Sequence, residues 1–134
     1  MMNMSSDRPS NSVTESSIIS TYITQDCLVF PVLTEMSKEM ALGIQASLLG
    51  KVHSKDYLGV VIDLSRVDVI DSVLWDVLSN TSVMVNMLGF STVLTGLSPG
   101  VVASIVDVNV DITRIKSAMT IQDALDSLKL LSDL

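Results

Sequence analysis

Residues 59–78, GVVIDLSRVDVIDSVLWDVL, decide the fold of this chain. They contain an apolar run, then a short acidic loop, then a new amphipathic pattern that begins at Asp71-Ser72. The apolar run does not alternate with polar residues, which predicts a central strand covered on both faces. The pattern after it repeats apolar residues every three or four positions, which predicts a helix. A strand, a loop and a helix in this order are typical of an α/β protein.

Ser72 is the candidate functional residue, because it lies at the predicted entrance of this helix. The first backbone N–H groups of a helix have no partner within it, and the helix dipole is positive there, so a phosphate on Ser72 would be tolerated. The same residue types also cap helices, so Asp71 or Ser72 could have a purely structural role. No Glu or Gln follows at position 74 or 75 to complete a capping box. The residues leave both interpretations open.

Strands and helices alternate along the chain. The patterns predict strands at residues 18–23, 27–32, 57–64, 90–95 and 112–115, and helices at 35–53, 72–88, 98–107 and 120–131. The first two strands should form a hairpin, and Pro31 indicates an edge position. Thr34, Ser98 and Thr120 are the expected helix caps. Gly89 should end the second helix in a left-handed conformation. A small mixed sheet with helices packed against it follows.

The helix that begins at Ser72 has two unlike faces. One stripe should pack on the sheet and consists of Leu74, Val77, Leu78, Thr81, Val85 and Leu88. The other side, with the residue that precedes the helix, supplies the candidate partner-binding residues Asp71, Ser72, Trp75, Asp76, Ser79 and Val83. Trp75 would anchor a partner there, since Trp often dominates binding energy. A second interpretation is that a neighbouring loop half covers Trp75.

A phosphate on Ser72 would add between about −1.5 and −2 charges to a neighbourhood that is already negative. Asp68, Asp71 and Asp76 supply this negative charge, so the partner surface should be basic. The added charge would release the partner by local geometry or desolvation, or Arg66 would fold back onto the phosphate. The sequence does not decide between the two mechanisms.

Length and composition limit the class of protein. The chain has 134 residues, an apolar fraction of 48%, an aromatic fraction of 4% and a net charge of −7. We expect one domain at residues 17–134, and a disordered tail at residues 1–16, which are rich in Ser, Asn and Pro. The eight Lys and Arg residues are scattered, which argues against nucleic acid as a partner. No apolar run is long enough to span a membrane, and no signal peptide is recognisable, so a cytoplasmic protein is expected.

Motifs of catalysis and metal binding are not supported. Residues 96–100 match the G-x-S-x-G nucleophile elbow, but Pro99 has no N–H to stabilise an oxyanion. His53 is the only histidine and precedes Ser98, whereas the triad of that fold places its histidine last. Cys27 is the only cysteine and is interpreted as a small buried hydrophobe. We therefore expect no enzyme activity and no metal site.

Three segments resemble the STAS domain, and in particular the RsbS-type stressosome scaffold proteins. They are Val61-Ile62-Asp63-Leu64, Val69-Ile70-Asp71-Ser72 and Val93-Leu94-Thr95-Gly96-Leu97-Ser98-Pro99. The resemblance extends from about Ile18 to the C-terminus and implies the STAS fold, a small mixed β-sheet with helices packed against it in the order β-β-α-β-α-β-α-β-α.

The resemblance also implies a function. In that family a dedicated switch kinase of the RsbT type phosphorylates the Ser of the Asp-Ser pair, which is Ser72 here. Thr95 is a secondary phosphorylation candidate, although a β-branched residue that ends a strand needs no such role. The implied partners are sensor-bearing STAS paralogues of the RsbR type, the switch kinase and a cognate phosphatase. No cofactor is implied, because ATP belongs to the kinase.

Two alternative functions remain from the same fold. A monomeric or dimeric anti-sigma factor antagonist would bind an anti-sigma kinase directly. Such antagonists commonly have small residues after the Asp-Ser pair, whereas this chain continues with Val73-Leu74-Trp75. A STAS accessory subunit of a transporter would need no phosphate cycle.

Overall fold

The computed structural model describes residues 21–33, 36–54, 56–107 and 116–133. These residues contain one five-stranded sheet in the order β1-β2-β3-β4-β5. The strands are β1 (Tyr22–Thr24), β2 (Cys27–Pro31), β3 (Gly59–Asp63), β4 (Ser91–Thr95) and β5 (Lys116–Ala118). β1 is antiparallel to β2, and the remaining pairs are parallel. The predicted mixed α/β architecture is confirmed.

The described helices are α1 (Lys38–Ser54), α2 (Ser72–Met87), α3 (Pro99–Asp107) and α4 (Ile121–Ser132). Side chains of a strand alternate between the two faces of a sheet, and the core is divided accordingly. One cluster joins Leu28, Val60, Ile62 and Leu94 to α1, α2 and α3. A second cluster joins Cys27, Val29, Val61 and Val93 to α4. Three helices therefore cover one face, α4 covers the other, and β3 is buried between them as predicted.

The hairpin between β1 and β2 turns through Gln25 and Asp26, which have positive φ angles of 49° and 62°. This conformation matches the right-handed twist of two strands joined by a two-residue loop. The edge position predicted from Pro31 is wrong, because β2 has β1 on one side and β3 on the other. Pro31 nonetheless lies beyond Val29, the last β2 residue paired with β1, so its missing N–H interrupts no bond described between these strands.

Most predicted helix ends agree with the structure. Ser98 and Thr120 accept hydrogen bonds from backbone N–H groups three residues later, at 3.2 and 3.1 Å. Gly89 follows α2 with a φ of 96°. Ser37 caps α1 by accepting the N–H of Met40 at 3.1 Å. The expected cap Thr34, the strand predicted at 112–115 and the tail at 1–16 lie outside the described residues.

Candidate functional site

Ser72 is the first residue of α2, and its side chain is exposed. The residue before it is the helix cap: Oδ1 of Asp71 accepts the N–H of Leu74 at 2.8 Å, and its carbonyl accepts the N–H of Trp75 at 3.0 Å. Among the described residues, none forms a hydrogen bond with the hydroxyl of Ser72. The capping role therefore belongs to Asp71, and the hydroxyl of Ser72 is exposed.

The loop from β3 to α2 is held at both ends. Asp63, the last residue of β3, accepts the backbone N–H of Ser65 at 3.0 Å and its hydroxyl at 3.1 Å. Val67 and Ile70 are buried, whereas Asp68 between them is exposed. Two apolar anchors thus fix a short loop that presents its acidic side chains to solvent just before the helix begins.

The loop from β4 to α3 packs directly against this first loop. Gly96 has a φ of 71°, and a Cβ on it would lie 2.7 Å from the backbone nitrogen of Ser65. A Cβ on Gly100 would collide with the carbonyl oxygen of Asp68. The hydroxyl of Ser98 lies 3.4 Å from the same carbonyl oxygen. Ser98 therefore caps α3 and contacts the neighbouring loop, and glycine is required where the two backbones meet.

Thr95 is unsuited to phosphorylation in the folded protein. The residue is 0% exposed, at the end of β4, and pairs with Asp63 of β3 in the sheet. Its hydroxyl lies 3.5 Å from Oδ1 of Asp63. A kinase would have to open this part of the sheet to reach it, so burial argues against the secondary phosphorylation candidate.

The outward position predicted for Trp75 is wrong. Trp75 is 1% exposed, and it lines a cavity together with Val102 and Ile105 of α3. On its other side α2 packs against α1, where Nε2 of Gln45 donates to Oγ1 of Thr81 at 2.9 Å. Because α2 has a helix on each side and the sheet beneath, its buried surface is wider than one stripe. Trp75 is a core residue and offers no surface to a partner.

The rest of the predicted stripe and outer face can be placed in the same way. Of the stripe residues, only Leu88 is wrong, because it lies past the end of α2 and is exposed; Leu74, Val77, Leu78, Thr81 and Val85 are buried as predicted. On the outer face, Asp71 and Asp76 are exposed and Val83 is 53% exposed. Ser79 is half-buried, and its hydroxyl donates to the carbonyl of Trp75 at 2.9 Å.

An exposed groove between α1 and α2 begins beside Ser72, and sequence reasoning missed it. The groove has a volume of about 340 Å³. Its lining consists of Lys38, Leu42, Gln45, Val73, Asp76, Val77, Asn80 and Met84. Val73 is 47% exposed, and with Asp76, Asn80 and Met84 it follows the three-to-four-residue spacing of one helix face. That spacing was a usable signal for an outer stripe next to Ser72.

The described ranges contain neither a metal-binding cluster nor a membrane-spanning helix. Within the described ranges, no group of three or more His, Cys, Asp or Glu side chains is arranged to hold a metal ion. None of the helices described is both long and apolar enough to cross a membrane. Cys27 is buried as predicted, and burial, with a smaller effect from the charge of Asp26, raises the pKa of its thiol to about 11.

The chain belongs to the STAS domain family, which matches residues 19–126. The order of the elements and the mixed sheet agree with that assignment. None of the curated proteins matches the chain by sequence.

Several solved structures are similar to the chain. A Ser→Glu variant of RsbS from Moorella thermoacetica is 26% identical with a TM-score of 0.75, over 84% of this chain and 98% of that one. A structure from work on the molecular architecture of the stressosome, described as a signal integration and transduction hub, is 27% identical with a TM-score of 0.73, over 85% and 99%. A candidate anti-sigma factor antagonist from Thermotoga maritima is 21% identical, with a TM-score of 0.65 over 81% and 92%, and shares the fold.

Proposed function

We propose that this chain is a non-enzymatic stressosome scaffold that holds a switch serine/threonine kinase while Ser72 is unmodified and releases it after Ser72 is phosphorylated. The observation that carries the proposal is the exposed hydroxyl of Ser72, which bonds to none of the described residues, beside a cap that Asp71 supplies. A kinase needs such a hydroxyl, because a buried or capping serine would have to leave its site first.

The position of Ser72 can accommodate both the neutral hydroxyl and a charged phosphate. A phosphate on the first residue of a helix lies near free N–H groups and the positive end of the dipole, so it does not oppose the fold. Arg66 is exposed in the same loop region and makes no ion pair with any described residue. It is therefore available to a phosphate, and release by rearrangement stays open beside release by local geometry or desolvation.

The kinase-binding surface that we propose surrounds Ser72 and excludes Trp75. Val73 and Val83 supply exposed apolar contacts, and Asp71 and Asp76 supply negative charge. A basic partner surface would complement these carboxylates. A phosphate at the centre of such a contact would act by local geometry and by the desolvation of its charge, at a cost of several kcal/mol. About 3 kcal/mol corresponds to a roughly hundredfold loss of affinity.

The assembly partners that we propose are sensor-bearing STAS paralogues, with a cognate phosphatase that resets Ser72, all in the cytoplasm. Support comes from the likeness to the RsbS variant and to the stressosome structure, each of which is aligned along almost its whole length.

The switch is tested with a purified serine kinase of the RsbT type. We expect phosphate on Ser72 by mass spectrometry, continued binding of Ser72→Ala in the presence of ATP, and roughly hundredfold weaker binding of Ser72→Asp. Ser132→Asp is the matched control, because Ser132 is exposed on α4, on the opposite face of the sheet. If Ser72→Asp and Ser132→Asp bind the kinase alike, the proposal fails.

The scaffold role is tested separately by light scattering after size exclusion. With a sensor-bearing STAS protein of the RsbR type, the chain should elute as a particle of many subunits. A monomer or dimer that still binds the kinase would instead indicate an anti-sigma factor antagonist. Co-purification of transporter components without a kinase would indicate an accessory subunit of a transporter.

A further inference from the structure

A second groove, open to solvent, lies between the last turns of α1 and α2. Its lining consists of Leu49, Gly50, His53, Met84, Met87 and Leu88. Met87 is 81% exposed, and Val83, one turn earlier on α2, is 53% exposed. Of the lining residues only His53 can carry a charge, and that charge can only be positive. The second groove therefore presents apolar side chains to solvent without any carboxylate.

The two helices that form this groove carry no charge over most of their length. No Asp, Glu, Lys or Arg occurs at residues 40–50 of α1 or at residues 77–87 of α2. A helix that faces water normally has charged residues on its outer side. α4 follows this rule, since Asp123, Asp126 and Lys129 are exposed on it. The outer side of α1 and α2 has instead the composition of a contact surface.

α1 also has three small residues on one exposed line. Gly43, Ala46 and Gly50 are three or four positions apart, and all three are exposed. Glycine within a helix is less stable than alanine. No described atom outside its own stretch of helix lies within 4 Å of a Cβ built on Gly43 or Gly50, so packing among the described residues does not require glycine there. The line leaves room for another helix to approach the backbone of α1 closely.

The charge of the chain indicates where two copies can meet. Each copy has a net charge of −7, so two copies repel each other in most orientations. Repulsion is smallest where both surfaces lack carboxylates, as at the second groove. The shapes also match, because Met87 projects from α2 and Gly50 leaves space on α1. In a two-fold arrangement the flexible Met87 of each copy would pack at Gly50 of the other, so the same contact is made twice.

We propose that a second copy of this chain docks on the α1–α2 face, which consists of Gly43, Ala46 and Gly50 of α1 with Val83, Met84 and Met87 of α2. The inference is independent of the proposed switch. Ser72 and Met87 are the first and last residues of α2, about 22 Å apart along the helix, which exceeds the Debye length of about 8 Å at physiological ionic strength. A phosphate on Ser72 should therefore leave this contact unchanged.

Sedimentation equilibrium of the full-length chain, without any partner, tests the proposal. We expect the mass to rise with concentration from that of one chain to that of two. Met87→Glu should weaken the dimer by at least about tenfold, because it places two carboxylates in the contact. Met119→Glu is the matched control, because Met119 is 86% exposed and lies at the carboxyl ends of the parallel strands, whereas Met87 lies near their amino ends. Ser72→Asp should dimerise like the unmodified chain.

Gly50→Gln separates association from folding. Gln is the better helix former, so the urea midpoint of the monomer should rise. The larger side chain should nevertheless keep the second helix away and raise the dissociation constant of the dimer at least about fivefold. An effect on folding alone would not move stability and association in opposite directions.

Three outcomes would overturn the proposal. The chain could stay monomeric up to its solubility limit. Met87→Glu and Met119→Glu could have equal dissociation constants, which would place the dimer contact elsewhere. A monomeric chain whose Met87→Glu variant no longer binds the kinase would assign the α1–α2 face to the kinase. Because Ser72 lies outside this face, the proposal for Ser72 would stand in each case.

Discussion

Gly100, in the first turn of α3, lies so close to the carbonyl oxygen of Asp68 that a Cβ would not fit between them. Gly100→Ala should therefore push apart the two loops beneath Ser72 and lower the free energy of unfolding by about 1–3 kcal/mol. Gly50→Ala in α1 is the matched control, because no described atom outside its own stretch of helix lies within 4 Å of the added methyl group. In a helix this change should stabilise by up to about 1 kcal/mol. Urea midpoints that move in the same direction for both variants would contradict the prediction.

Asp71 and Ser72 should differ in their effect on stability although they are neighbours. Asp71→Ala removes the acceptor of the Leu74 N–H, and the lost cap should cost about 1 kcal/mol. Ser72→Ala removes an exposed hydroxyl and should change stability by less than about 0.5 kcal/mol. Chemical denaturation of the two variants measures both values. A larger loss for Ser72→Ala than for Asp71→Ala would mean that the cap is misassigned.

Trp75→Ala should destabilise the fold. Any loss of kinase binding in this variant should result only from the lower stability of the protein. Removing a buried Trp typically costs about 3–5 kcal/mol, and this side chain is 1% exposed. Val73→Ala at the exposed start of the groove should leave stability within about 0.5 kcal/mol and weaken kinase binding. Thermal unfolding with a kinase titration separates the two effects. A Trp75→Ala protein as stable as the unmodified one would contradict the buried position of Trp75 and favour a position on the outer face of α2.

Cys27 should make stability depend on pH in alkaline solution. Its thiol has an ordinary pKa of 9.0, which burial raises to about 11 in the folded protein. The unfolded chain therefore loses the thiol proton first as pH rises, and stability falls between about pH 9 and 11, by roughly 2–3 kcal/mol in all. Cys27→Ala, which lacks the thiol, is the reference for the pH dependence of the other groups. Urea midpoints that fall equally with pH in both proteins would refute the prediction.

The local pattern of the sequence was sufficient for much of the site. The spacing of Leu74, Val77 and Leu78 predicted the buried side of α2, because a helix that packs on a sheet repeats apolar residues with its own period. The apolar run of β3 predicted a strand covered on both faces for the same kind of reason. The position of Ser72 at the helix entrance followed from where these two patterns meet.

Three features of the site depend on tertiary contacts, which the sequence pattern does not contain. Trp75 was misplaced because periodicity describes one buried stripe, whereas α2 is flanked by two helices. The contact between Gly100 and Asp68 joins residues that are distant in sequence, and it depends on the register in which Asp63 pairs with Thr95. Asp71 and Ser72 were equal capping candidates by residue type, and only the geometry of the first turn separates them.

The cap on α2 determines which residues can change at the start of this helix. The side chain of Asp71 accepts the hydrogen bond that caps α2. The side chain at position 72 is therefore not needed to stabilise the start of the helix. A side chain there can be exchanged, esterified or charged while the chain trace around it stays the same. Substitution or modification of the residue at position 72 is therefore compatible with an unchanged fold.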